Sequence, residues 1–227
     1  MKNVMDRLCI SSETYNIELE DILALKDTGV PYECKDKVVI LLRKNQPDTL
    51  LSGRKYLEQL KSENAKYASV RIAFISEISP YNFISVFVRP LRKKYQYWSS
   101  NIYHMDPAEI RKMKIERSFR NKDNAYTFTN PLYYRTDEER LSRYEELYNS
   151  IKNGYDDNCP IEIMPLRMVG VKDTVNNGHH RLGIALECGL KRVAINFKVI
   201  GQAPRILRPL FKFGANLTMK LKQRQKS

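Results

Sequence analysis

The chain has 227 residues, 42% hydrophobic and 29% charged, with a formal net charge of +13. That length can bury a real core in one large or two small domains, and no run approaches the ~20 apolar residues that a membrane-spanning helix needs. Four separated cysteines (Cys9, Cys34, Cys159, Cys188) form no Cys-x-x-Cys pair, and the first residues lack a signal-peptide pattern, so the expected setting is cytoplasmic with reduced thiols.

In the first half, Val38–Leu42 and the alternation of Val70, Ile72 and Phe74 predict strands. Between them, Asp48-Thr-Leu-Leu-Ser-Gly53-Arg-Lys-Tyr-Leu57 echoes a later stretch, Asp173-Thr-Val-Asn-Asn-Gly178-His-His-Arg-Leu182, 125 residues on. The same offset aligns Gly29 with Gly154, each expected to end a helical stretch, and Glu13 with Glu138. Residues 1–98 are therefore expected to form an α/β domain that is a degenerate copy of the unit that follows. Arg54 and Lys55 at its Gly53 turn suit either a phosphate or a solvated basic face.

Residues 79–130 carry a strand pattern (Phe83, Val86, Val88) ended by Pro90, then Arg92-Lys-Lys-Tyr-Gln-Tyr-Trp98, which mixes cations with aromatics as nucleic-acid, glycan and membrane-interface sites do, or as a solvated basic loop with partly buried aromatics does. Asp106-Pro107 is a helix start, with the acid as cap and proline at the first position. His104, just before it, reads as structural. Asn121-Lys-Asp-Asn and Asn130-Pro131 mark breaks.

A helix follows, Glu145-Glu-Leu-Tyr-Asn-Ser-Ile-Lys-Asn-Gly154, preceded by a capping box in Thr136-Asp-Glu-Glu139. Pro160-Ile-Glu-Ile predicts a strand. The stretch from Asp173 reads as a turn, a helix and a strand: Asn177 as N-cap, Gly178 as a tight turn, Leu182, Ala185 and Leu186 at helical spacing, a stop at Gly189, and Val193, Ile195 and Phe197 alternating. His179, His180 and Arg181 fall on the first helical turn, where free N–H groups and the dipole favour an anion. Zinc is not expected, because only three histidines exist and no Cys or His spacing fits a site.

Gly178-His-His-Arg, the helix with its terminal Gly and the Val-rich strand together resemble the ParB/sulfiredoxin fold over about residues 126–200. Partition proteins carry a Gly-x-Arg-Arg version of the box, sulfiredoxins Gly-Cys-His-Arg, and free-serine kinases Asp-Gly-His-His-Arg. The last is most similar, with Asn177 in place of its Asp. The resemblance implies an α/β fold with a mixed sheet over 99–204, nucleotide binding (ATP or ADP with Mg²⁺) through Asn177, Gly178, His179, His180 and Arg181, and catalytic candidates Glu138, Glu139 and His180. Phosphoryl transfer to an alcohol needs a carboxylate near the hydroxyl and cations around the phosphates. A solvated helix start explains Glu138 and Glu139 nearly as well, and an amide at 177 cannot bind Mg²⁺ as a carboxylate does.

From Arg205 to Lys226 there are seven Lys or Arg and no acid, around an apolar stripe of Ile206, Leu210, Phe213, Leu217 and Leu221. This 205–227 tail is expected to lie on an anionic membrane surface, on the inner face. The function these features imply is a nucleotide-dependent kinase, or kinase-like protein, acting on a hydroxylated metabolite such as a sugar or polyol of surface-glycan synthesis. The alternatives are a DNA-binding, partition-type protein with a nucleotide switch, or an inactive nucleotide-binding scaffold. Nucleic acid is the less expected partner, because the chain ends soon after the box, and sulfiredoxin chemistry is disfavoured because the box has no Cys.

Overall fold

Short runs of alternating or continuous apolar residues give the strands, and each helix buries one stripe against them. The computed structural model describes residues 8–29, 38–75, 96–112, 137–166 and 173–200. The first half contains β1 (Leu8–Ile10), β2 (Tyr15–Glu18), α1 (Leu19–Leu23), β3 (Lys26–Asp27), β4 (Val39–Leu42), β5 (Thr49–Ser52), α2 (Arg54–Ser62) and β6 (Tyr67–Ile75). The second contains β7 (Gln96–Trp98), β8 (Tyr103–Met105), α3 (Pro107–Lys112), α4 (Asp137–Lys152), β9 (Ile161–Met164), β10 (Thr174–Asn177), α5 (His179–Glu187) and β11 (Val193–Ile200).

The strands join one mixed sheet in the order β10-β9-β11-β8-β2-β6-β4-β5-β3, with β1 on β6 and β7 on β11. The fold is thus mixed α/β, with parallel and antiparallel pairs in the same sheet. The halves meet at the antiparallel pair β2–β8, through Ile17 opposite Met105.

Both halves follow one strand order. β4 runs antiparallel to β5 and parallel to β6, while β9 runs antiparallel to β10 and parallel to β11. The register agrees residue by residue. Ile40 faces Leu50 and Val39 faces Ser52, leaving Leu51 as the bulge. In the second half Ile163 faces Val175 and Glu162 faces Asn177, leaving Asn176 as the bulge. A bulge re-aims the chain at the end of a strand, and here each precedes a left-handed glycine that opens a helix: Gly53 at φ 105° and Gly178 at φ 90°.

One core runs through both halves on the helix-bearing side of the sheet, with Tyr15, Ile40, Leu57 and Ile72 from the first half and Tyr103, Ile163, Leu182 and Phe197 from the second, all fully buried. Tyr15 meets Phe197 edge-on at 4.9 Å, and Tyr103 meets the same ring at 5.7 Å. Such aromatic pairs add about 0.5–1.5 kcal/mol beyond their buried area.

Several sequence expectations change in detail. Thr174–Asn177 is a strand and not a turn, and Gly178, not Asn177, is the cap of α5. The reason is steric: the N-cap backbone is left-handed there, which glycine adopts freely. Gly29 does not directly end a helix, since β3 intervenes after α1. Asp106 caps α3 as expected, its Oδ1 accepting from the Ala108 N–H at 2.8 Å. Thr136, the strand pattern at 83–90, the basic run at 92–94 and the tail at 205–227 lie outside the described residues. No helix among the described residues is long and apolar enough to cross a membrane.

Candidate phosphate-binding turn and its surroundings

Strand β10 delivers the chain to Gly178, which packs so closely on β9 that a Cβ there would lie 3.0 Å from the Ile161 Cα. The fold therefore requires glycine both for its φ and for the space. The Leu182 N–H closes the first turn onto the Gly178 carbonyl at 2.8 Å. No side chain caps α5: Asn177 turns its Oδ1 to the Gly178 N–H at 2.8 Å instead. At this first turn the helix dipole favours an anion.

His179 and His180 are both half-buried beside this turn. Burial holds both imidazoles below their usual pKa, and the neighbouring His180 depresses His179 further. They are neutral in the unliganded protein at neutral pH. The Nδ1 of His179 is buried with no hydrogen-bond partner among the described residues.

Arg181 donates through Nη1 to the Cys159 carbonyl at 2.7 Å, and Tyr155 donates to the same oxygen at 3.1 Å. The other end of the guanidinium, Nη2, lies over the Gly178 position. The arginine thus ties α5 to the 155–160 loop while keeping its charge at the turn.

The carboxylates nearest in sequence are otherwise engaged. Asp173 is fully buried and accepts from the Ser12 N–H (2.9 Å), the Ser12 hydroxyl (3.0 Å), the Glu13 N–H (3.0 Å), the Leu166 N–H (2.8 Å) and the Tyr15 hydroxyl. It is a structural anchor and cannot replace the missing acid at 177. Glu162 receives the Asn176 amide at 2.7 Å and the Trp98 indole N–H at 3.0 Å, with Lys198 at 3.7 Å.

Glu138 and Glu139 are exposed near the start of α4. The hydrogen bond tying α4 to α5 runs from the Tyr144 hydroxyl to Glu187 Oε2 at 2.7 Å, at the C-terminal end of α5. Glu138 is six positions before Tyr144, about 9 Å along the helix. No hydrogen bond or ion pair described for α4 brings Glu138 to the Gly178 turn.

The equivalent turn of the first half is closed by its own arginine. Arg54 donates to the Leu23 carbonyl at 3.2 Å, to the Leu25 carbonyl, and to the Asp27 carboxylate at 3.2 Å. Its charge is paired at the end of α1, which leaves Lys55 as the exposed cation of the Gly53 turn.

Glu18, Asp21 and His104 bring three donor atoms within 4.8 Å of one another. Both ring nitrogens of His104 are already shared, with Asp21 at 3.0 Å and Asp157 at 3.1 Å, and Arg192 holds Glu18 at 3.0 Å. This hydrogen-bonded network, with the Arg192–Glu18 ion pair, fastens α1, β8 and the 155–160 loop.

Sequence reading missed the Trp98–Glu162–Asn176–Lys198 group. The available signal was the alternation Ile161-Glu-Ile163, which turns Glu162 to the sheet face away from the core. No family model, curated protein or solved structure matches this chain.

Proposed function

We propose that the chain binds a nucleotide, ATP or ADP, by its phosphates at the Gly178–Arg181 turn, as a kinase-like protein of the ParB/sulfiredoxin type. The observation that carries the reading is the uncapped first turn of α5, opened by a glycine that no other residue replaces and flanked by Arg181 and two neutral imidazoles. These groups match a phosphate: N–H donors along the dipole, a guanidinium for charge-assisted contacts, and imidazoles that can take up a proton when an anion arrives.

Magnesium fits the same turn poorly. Asn177 offers an amide oxygen already held by the Gly178 N–H, Asp173 is buried under five donors, and Glu162 is bound by Asn176, Trp98 and Lys198. We therefore assign no step to a metal ion. Transfer to a hydroxylated metabolite would draw its base from Glu138 or Glu139, and the described contacts tie their helix to the other end of α5. Binding, rather than transfer, is the activity this arrangement supports.

The test is a thermal-shift panel of ATP, ADP, CTP and GTP, each with and without Mg²⁺. Stabilisation should rise with ligand concentration relative to its dissociation constant, reaching about 2.7 kcal/mol at a hundredfold excess, and it should persist in EDTA. Absence of a concentration-dependent shift with every nucleotide would remove the reading.

A further inference from the structure

The two halves share a register, so the outer faces of their sheets can be compared position by position. In the first half an apolar, buried patch lies on this face: Val39, Leu41, Leu51 and Ala73 form a second small cluster, with Leu8, Ile10 and Ile75 packed against it and Arg71 opposite Val39. The pairings place Glu162 where Val39 stands, Asn176 where Leu51 stands, Lys198 where Ala73 stands and Trp98 where Ile10 stands. At these four positions the second half carries three polar side chains and one large aromatic where the first half carries apolar ones.

That aromatic is held in place. The Trp98 indole N–H donates to Glu162 Oε1 at 3.0 Å, and the Lys198 ammonium sits 4.9 Å from the ring centroid. Glu162 also neutralises Lys198 at 3.7 Å and fixes Asn176 at 2.7 Å. The residue is nonetheless 40% exposed. An indole oriented by its N–H and left bare on part of its surface is a stacking platform.

Beside it lies an open groove of about 520 Å³. Gln96, Tyr97, Trp98 and Ser100 form one wall, and the β4–β5 turn with Asn45, Gln46 and Pro47 forms the other. Among the described residues the lining carries no charge, in a chain whose residues are 29% charged. Side-chain amides each offer both donors and an acceptor, so this lining answers hydroxyl groups. Single-stranded nucleic acid also stacks on aromatics, beside a positively charged track; among the described lining residues none is cationic, and Lys198 is paired with Glu162. This lining suits a ring with an apolar C–H face and polar edges.

We propose that the Trp98 groove binds a neutral carbohydrate, one pyranose ring stacked on the indole with its hydroxyl groups on Asn45, Gln46 and Gln96. The groove is lined by none of the residues of the Gly178 turn, and the proposal does not rest on nucleotide binding there.

Trp98 is the single tryptophan of the chain, so intrinsic tryptophan emission reports this groove alone. The full-length chain is screened on an array of neutral and acidic glycans. The neutral hits are then titrated as free oligosaccharides while Trp98 emission is read, with single-stranded RNA as the polyanion control. The expected result is saturable binding of a neutral glycan with a matching change in emission. Read by calorimetry, because both variants remove the fluorophore, Trp98→Ala should weaken binding about tenfold or more, as truncation of a central aromatic does, and Trp98→Phe should retain part of it. Gln46→Ala, on the opposite wall, should weaken binding without touching the platform. Failure of every neutral glycan on the array, binding unchanged in both Trp98→Ala and Gln46→Ala, or saturation of the emission by RNA alone would overturn the proposal.

Discussion

The hydroxyl of Tyr15 donates to the carboxylate of Asp173, 158 positions away, and Tyr103 donates to Asp48 at 2.8 Å in the corresponding place of the other half. Each half's buried aspartate is thus satisfied by the other half. Asp48 also accepts from the Ser100 and Asn101 N–H groups at 3.1 Å, as Asp173 does from Ser12 and Glu13. Burial first, and then the adjacent carboxylate, push both phenols well above their usual pKa, so both remain protonated donors at any ordinary pH. The exchange fastens the halves at two points around the β2–β8 seam.

Removing this anchor should be costly. Asp173→Ala strands five donors, among them the buried Tyr15 hydroxyl, and is expected to destabilise the fold by about 3 kcal/mol or more, while Tyr15→Phe should cost about 1.5–3 kcal/mol. Urea denaturation measures both. The wild-type chain should unfold in a single transition, because neither half can satisfy its aspartate alone. Two separated transitions, or a loss below about 0.5 kcal/mol for Asp173→Ala, would show that the interlock does not hold the halves together.

Acid should act in opposite directions on stability and on ligand binding. The folded-state pKa values of His179 and His180 are depressed, so their neutral forms contribute stability that is present above the usual imidazole pKa and lost as pH falls through the depressed folded values. The unliganded protein should therefore lose stability on acidification below about pH 6.5. A bound phosphate favours the imidazolium forms and raises both values, so nucleotide affinity should increase over the same range. Parallel melting curves and calorimetric titrations at stepped pH values check both slopes. Replacing both histidines by Gln should flatten them, and an affinity that falls with acid in the wild type would place the phosphate elsewhere.

Much of this fold can be read from the chain. The apolar alternation at Val193–Phe197, the stop at Gly189 and the cap at Asp106 are local effects, and local patterns suffice for them. The recurrence linking Asp48…Gly53 to Asp173…Gly178 falls on matching strand–bulge–glycine positions of the two halves. Long-range satisfaction is what a sequence conceals. Asp173 resembles a spare acid beside the box until its partners, Ser12, Glu13 and Tyr15, are brought from the far end of the chain. Arg54 resembles a phosphate ligand until the carbonyls of Leu23 and Leu25 are seen to take it. The Trp98 platform depends on three strands meeting side by side, which no single window reports.

The amide at position 177 separates binding from metal-assisted chemistry. Asn177→Asp places a carboxylate at the N-terminus of α5. Without Mg²⁺ this charge should weaken nucleotide binding by about 1 kcal/mol or more through like-charge repulsion, and Mg²⁺ should restore it by bridging the carboxylate and the phosphates. Wild-type affinity should change little between Mg²⁺ and EDTA. Calorimetry on the two proteins in the two buffers gives the four values needed, and a wild type that binds nucleotide only with Mg²⁺ would contradict the metal-free reading.

The central claim is that the first turn of α5 holds a phosphate, and the most direct measurement is an NMR titration of the ¹⁵N-labelled full-length chain with ATP, following backbone amides. The account predicts saturable shifts that are largest at Gly178, His179, His180 and Arg181, absent at the equivalent Gly53 turn, and weakened in Arg181→Ala by the roughly 1.5–3 kcal/mol of a charged hydrogen bond. Saturable shifts centred elsewhere on the protein, or no shift at Gly178–Arg181 at any ATP concentration, would contradict it.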